Sequence, residues 1–93
     1  MTGEFEFDWD DDNRRHLAAH RVAAVEFEQV LMNEPLDLEY QPVAGEPRYR
    51  SVGVTDSGRI LSAVWTVRGS RIRAITAFPA SASDRKALLN RRL

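Results

Sequence analysis

An α+β fold with a largely antiparallel sheet, in the order β-α-α-β-β-β-β-α, is what this sequence predicts. Three observations carry it. The chain opens with a strict alternation of acids and aromatics, follows it with a helical stripe that ends at Pro35, and then alternates with period two between Gly-containing turns. Its 93 residues have room for one core, so 1–93 is read as a single domain.

Each element has a local reason. In Glu4-Phe5-Glu6-Phe7-Asp8-Trp9 the aromatics share one side, as a strand with one buried face requires. Asp10, Asp11 or Asp12 can cap the first helix, predicted to run to about His20, because a carboxylate accepts the free N–H groups there and suits the positive helix end. Ala23, Phe27, Val30 and Leu31 form the stripe of a second helix. Leu36, Leu38 and Tyr40 begin the next strand, and Pro42, Gly45 and Pro47 mark a loop of about six residues. Arg48 to Thr55, Arg59 to Val67 and Arg71 to Phe78 follow as hairpin strands joined by Asp56-Ser57-Gly58 and Arg68-Gly69-Ser70. Ser81 or Ser83 caps a last helix from about Asp84, whose apolar edge is Leu88 with Leu89.

Composition excludes several classes. Apolar residues at 43% are too many for a disordered chain, and the absence of cysteine rules out disulfides, a thiol nucleophile and a zinc ribbon. No apolar run approaches the roughly 20 residues of a membrane span. Met1-Thr2-Gly3-Glu4 is unlike a signal peptide, so a cytoplasmic protein with no membrane association is expected. Charge is segregated: residues 1–46 carry twelve acids against three arginines, a balance of −9, and residues 47–93 carry two acids against ten bases, a balance of +8. Twelve of the thirteen bases are Arg, the side chain suited to bidentate phosphate or carboxylate contacts. RNA or an acidic protein partner fits that half. A GC-rich genome is the plainer source of the Arg excess, although not of its segregation.

Six pieces of sequence in order resemble the BrnT toxin family. They are Phe7-Asp8-Trp9-Asp10, Asn13, His20 with Val22 and Glu26-Phe27-Glu28, Glu46-Pro47-Arg48-Tyr49 ahead of Val52-Gly53, Gly58-Arg59-Ile60-Leu61, and Arg71 to Ala77. The resemblance spans about Phe5 to Leu89. It implies a RelE-like fold, a type II toxin that cleaves RNA, a BrnA-like antitoxin partner, and contact with operator DNA only through the antitoxin complex. Three positions depart from the family pattern: Arg21 stands where a Gly is usual, Phe78 where an Arg is usual, and Leu88 where a Tyr is usual. A second reading follows from these departures, a catalytically weakened relative that persists as a protein-binding or operon-regulating module. A stand-alone nucleic-acid-binding domain ranks last, for want of a recognition-helix, RRM or OB signature.

A ribonuclease that uses no metal or cofactor needs a base for the 2′-hydroxyl, an acid for the leaving 5′-oxygen, and cations for the phosphorane. His20 suits the first two roles, since histidine changes charge near neutral pH; the plainer reading is structural, a hydrogen bond between helix and sheet from the helix face it shares with Asn13 and His16 or Leu17. Arg48 and Arg50 share one strand face, as do Arg71 and Arg73, so a row of guanidinium groups along the sheet is expected. The family positions favour Arg48 and Arg73 as catalytic residues. They put Asp84 beside Arg85 where the family has Glu-Arg, which makes Asp84 a further acid-base candidate. Arg50, Arg59, Arg71 and Arg85 complete the expected RNA contacts. His16 and His20 have the spacing of a helical metal pair, but no third ligand is fixed, and no metal site is assigned.

Overall fold

A computed structural model describes residues 5–91. Its elements are β1 (Glu6–Asp8), α1 (Asp11–Ala18), α2 (Ala24–Met32), β2 (Leu36–Val43), β3 (Glu46–Val54), β4 (Ile60–Arg68), β5 (Arg71–Pro79) and α3 (Ala82–Asn90). The five strands form one mixed sheet in the order β1-β5-β4-β3-β2, antiparallel except where β1 runs parallel to β5. The α+β class and the largely antiparallel sheet are as the sequence predicts. No helix among the described residues is long and apolar enough to cross a membrane.

α1 and α2 cover one face of the sheet. Leu17, Phe27, Val30, Leu61, Ala63 and Ala77 form the fully buried centre of the core, with Trp9 and Phe7 packed edge-on against Phe27 at ring separations of 5.7 and 6.4 Å. Gly53 lets α2 sit this close: a Cβ there would lie 2.9 Å from the Val30 carbonyl oxygen. α3 covers one end of the opposite face, where its buried Leu88 lies beside Val54 and Ile60.

Four boundaries differ from the sequence reading. β1 is shorter than expected: Glu4 lies outside the described residues, Trp9 has left the strand, and Phe5 is half exposed rather than buried. The expected loop between Pro42 and Pro47 is instead a tight hairpin whose two turn residues, Ala44 (φ 46°) and Gly45 (φ 80°), are both left-handed. That backbone twist matches the strand twist, so pairing continues to Val43 and Glu46 and sets Pro42 opposite Pro47. α3 starts at Ala82, capped by the Ser81 hydroxyl, which accepts the Asp84 N–H at 3.1 Å.

The fourth difference lies at the end of α1, which stops at Ala18 rather than His20. The Val22 N–H donates to the Leu17 carbonyl and the Arg21 N–H to the Ala18 carbonyl, at 3.0 and 2.9 Å, while Arg21 adopts φ 60°. This is the Schellman pattern, with its customary apolar contact supplied by buried Leu17 and Val22. Arg21 holds a left-handed conformation that Gly adopts freely, so the turn is retained rather than altered. Arg21→Gly is therefore expected to stabilise the protein by about 1 kcal/mol. Urea denaturation compares the two chains, and an unchanged or lowered midpoint would show that the turn is unstrained.

Candidate active site

Strand alternation divides β3 cleanly. Arg48, Arg50, Val52 and Val54 face the α3 side, and Tyr49, Ser51 and Gly53 face α2. Cross-strand pairing sets Ser62 beside Val52, and Phe78 beside Ser62, so one row crosses β3, β4 and β5 on the α3 side.

Arg50 anchors that row. Its Nη1 donates to Ser62 Oγ at 3.2 Å and to Asp84 Oδ2 at 2.5 Å, while Nε and Nη2 meet the two Glu39 oxygens at 3.2 Å each. Two carboxylates thus share one guanidinium whose side chain is only 21% exposed. Glu39 first, then Asp84, raises the Arg50 pKa above its ordinary value against the opposing effect of burial, so this cation is permanent. Arg48 is one alternation along β3, exposed, with its nearest carboxylate, Glu46, at 3.6 Å. Arg48, Arg50, Glu39, Gln41 and Val64 line a cleft of about 160 Å³. Arg85 follows Asp84 on α3, exposed and without an ion-pair partner among the described residues.

His20 reaches the same row from the other edge. The Schellman turn carries it to β5, where its ring lies 5.9 Å from that of Phe78. The residue is exposed and its imidazole makes no hydrogen bond among the described residues, so the structural bond between helix and sheet does not form. Because α1 ends at Ala18, His16 and His20 are not a helical i,i+4 pair. No three His, Asp or Glu side chains among the described residues gather as metal ligands.

Of the remaining arginines, Arg71 and Arg73 share the α3 side of the sheet by register but stand at its β1 edge, paired to acids, and Arg59 lies elsewhere. Arg73, 13% exposed, spans from Asp10 at 2.8 Å to Asp8 at 3.7 Å. Arg71 is exposed, 3.6 Å from Glu6. Arg59 lies below the β3–β4 turn, where its Nη1 meets both Glu26 oxygens at 2.9 Å and the Arg21 carbonyl at 3.0 Å. The structure therefore gathers Arg48, Arg50, Asp84 and Arg85, brings His20 to the same row through Phe78, and ties Arg59, Arg71 and Arg73 to acids of the first half. It adds Ser62 and Glu39, which the sequence reading did not single out. Glu39 faces Arg50 in the register of the β2–β3 hairpin.

Those pairs explain the charge segregation. Glu6, Asp8, Asp10, Glu26 and Glu39 each meet an arginine of the second half, so much of the opposition between halves is satisfied within the chain.

Fold and site together define a small α+β protein that presents a half-buried arginine, two carboxylates and an open histidine on one sheet surface. A family model described as a ribonuclease toxin, BrnT, of type II toxin-antitoxin systems matches residues 9–84. The chain belongs to the BrnT toxin family. No curated protein matches it.

Two carboxylates in this framework sit below their ordinary pKa range. Asp10 is lowered first by the Asn13 N–H and then by Arg73; Glu26 is lowered first by the Ala23 N–H and then by Arg59. The unfolded chain therefore takes up these protons at higher pH than the folded one. Their stabilisation is complete above the ordinary carboxylate range, about pH 4–4.5, and is lost as pH falls through the lower folded values. Asp10→Asn keeps a good helix cap and removes the charge. It is expected to flatten the fall in stability on acidification below that range, measured by urea denaturation from pH 7 to pH 3. An unchanged slope would remove Asp10 from this role.

Proposed function

We propose that this chain is a metal-independent endoribonuclease toxin, with a RelE-like arrangement of its sheet, neutralised by a BrnA-like antitoxin whose complex with it contacts operator DNA. Family membership supports an RNA substrate and an antitoxin partner. The observation that carries the reading to particular residues is the cluster of Arg50, Asp84 and Ser62 beside the Arg48 cleft.

Cleavage by this route needs no external nucleophile. The 2′-oxygen attacks the adjacent phosphorus, its proton passes to a base, and the 5′-oxygen leaves with a proton from an acid, giving a cyclic phosphate and a free 5′-hydroxyl. An incoming phosphate competes with Glu39 and Asp84 for Arg50, whose guanidinium then faces the charge that grows on the phosphorane. Asp84, released from Arg50, is positioned to take a proton. His20 supplies the other proton transfer from the β5 edge, and Arg48 holds the backbone in the cleft. Arg85 and Arg71, both exposed, extend the RNA contacts outward, while Arg59, held by Glu26 and the Arg21 carbonyl, braces the turn below. Arg73 is a positioning residue in this scheme, since Asp8 and Asp10 occupy its guanidinium.

One observation favours the weakened reading. Phe78 lies against His20, so the place where relatives carry Arg holds an apolar ring in this chain.

Cleavage of a defined RNA by the purified chain tests both. Arg48 and His20 are exposed, so replacement by Ala should preserve the fold, as circular dichroism checks. Arg48→Ala is expected to slow cleavage by about 10²–10³-fold and His20→Ala by about 10²-fold or more. Activity should persist in EDTA. Wild-type rates in both variants would place the chemistry elsewhere. Phe78→Arg is expected to raise the cleavage rate by about tenfold or more, since a placed cation of this kind can contribute about 2.7–4 kcal/mol. A rate no higher than wild type would show that position 78 does not limit the chemistry.

A further inference from the structure

The face of the sheet under α1 and α2 is only partly covered. Beyond the helices, Tyr40, Tyr49 and Trp65 continue across β2, β3 and β4 as a ladder, with ring centroids 5.1 Å apart in the first pair and 4.4 Å in the second, where the planes lie 21° from parallel. Tyr40 is 57% exposed and Phe5, across the sheet, 49%. Two clefts of about 270 and 340 Å³ meet at Trp65 and Asp37: one is bounded by Phe5 and Ile72, the other by Tyr40 and Tyr49.

The polar atoms inside this surface are already matched. The Trp65 indole N–H donates to Ser51 Oγ at 3.1 Å, and the Ser51 hydroxyl donates to Asp37 at 2.7 Å. What remains outward is aromatic surface, held in one arrangement by stacking, so little side-chain freedom is lost when something covers it. Tyr and Trp in such a setting are the side chains that dominate protein interfaces. The charged side chain facing both clefts is Asp37, with no base among their lining residues; Glu39 borders the second cleft too, but its carboxylate lies on the other side of the sheet against Arg50. A nucleic acid would bring its phosphates against Asp37 with no cation to receive them, whereas a segment with apolar side chains and a basic residue toward Asp37 meets both features.

We propose that the Tyr40–Tyr49–Trp65 face docks a basic, apolar-sided segment of a protein partner, on the side of the sheet opposite Arg48 and Arg50. The inference deepens the toxin reading, because an antitoxin is the partner that reading requires.

Calorimetric titration of the antitoxin co-expressed with this chain, into the full chain and its variants, tests the assignment. Tyr40→Ala and Phe5→Ala change exposed residues outside the RNA-facing surface, and circular dichroism confirms their folding. Each is expected to weaken antitoxin binding by about 30-fold, the size of an interface hot spot. Wild-type binding should weaken as NaCl rises, and both variants should cleave RNA at the wild-type rate. Unchanged antitoxin affinity in both variants, or no binding by the wild type, overturns the assignment. So does a dimer of the free chain, or binding of a single-stranded oligonucleotide, that Tyr40→Ala abolishes. The two readings fail separately: a wild type that cleaves RNA while the variants bind antitoxin normally sinks the docking face alone. A wild type that binds through this face but cleaves nothing sinks the ribonuclease alone.

Discussion

The Asp10 carboxylate is the joint on which the rest of the molecule turns. It accepts the Asn13 N–H at 3.0 Å, while Asn13 Oδ1 accepts the Asp10 N–H at 2.9 Å and Asn13 Nδ2 donates to the Asp8 carbonyl at 2.8 Å. Arg73 then binds Asp10 from β5 at 2.8 Å. β1 has only three residues, too few for its ladder alone to hold a parallel edge strand in register. The side chains do what the ladder cannot: they fix β1 to β5 and start α1 at a set angle to both. Everything downstream inherits that angle. α1 runs from this joint to the Schellman turn, and the turn delivers His20 to Phe78 at the far end of the same strand that carries Arg73. A substitution at Arg73 would therefore move His20 without touching it, which is why loss of activity alone cannot identify Arg73 as a group that meets substrate.

The ion pairs between the halves have a second effect. An exposed pair such as Arg71–Glu6 contributes about 0–1 kcal/mol, and partly buried ones such as Arg73–Asp8 give back in desolvation much of what they gain, so their sum is not what holds the protein together; the buried apolar core does that. Their value is in specifying which strand lies where. Glu39 opposite Arg50 suits the β2–β3 register, and Arg71 with Glu6 and Arg73 with Asp8 suit the β1–β5 register, in which these same residues are cross-strand partners. A shift by one residue would turn every one of these side chains to the opposite face. The acids of the first half and the arginines of the second are thus complementary because the fold interleaves the two halves in one sheet.

Much of this was legible in the sequence, and the reasons for the remainder are specific. Period two with turn residues marked the strands, period 3.6 the second helix, and cap residues the first and last helices; Phe27, Val30 and Leu31 were recognisable as core because their spacing leaves no other common face. Asp56-Ser57-Gly58 was readable as a turn, and Gly58 does take φ 95°. Pro42, Gly45 and Pro47 misled, because two prolines suggest a loop when the strand concerned is assumed to be paired on both sides. Pro42 is on the edge strand β2 and Pro47 precedes the β3–β4 pairing that starts at Tyr49, so a missing N–H costs little at either, and Ala44 accepts a left-handed conformation that its residue type does not announce. That misreading concealed the hairpin register and with it the Glu39–Arg50 pair. Phe5 looked buried from alternation alone, since periodicity reports which residues share a face but not where the covering layer ends. The arginines looked free for the same reason: sequence shows their face, while their partners lie in strands far away along the chain.

The pairing of Arg50 bears on how RNA would be held. With a net charge of −1, the chain has little long-range attraction for a polyanion, and Arg50, Arg59 and Arg73 are held by their own acids. A protein that bound RNA mainly by releasing counterions would need many unpaired cations on one surface. Here, among the described residues, weakly paired or unpaired cations such as Arg48, Arg68, Arg71 and Arg85 stand outside the cluster, whereas Arg50 is reached only by displacing carboxylates. On the ribonuclease reading, productive seating then requires a phosphate that fits the cleft well enough to replace Glu39 and Asp84 together, a requirement of geometry more than of charge. A loosely associated strand leaves the Arg50–Asp84 pair closed and the carboxylate occupied. On the ribonuclease reading, the act of seating the scissile phosphate is what frees Asp84 for proton transfer, so binding at the wrong position along the backbone leaves the acid-base machinery unassembled.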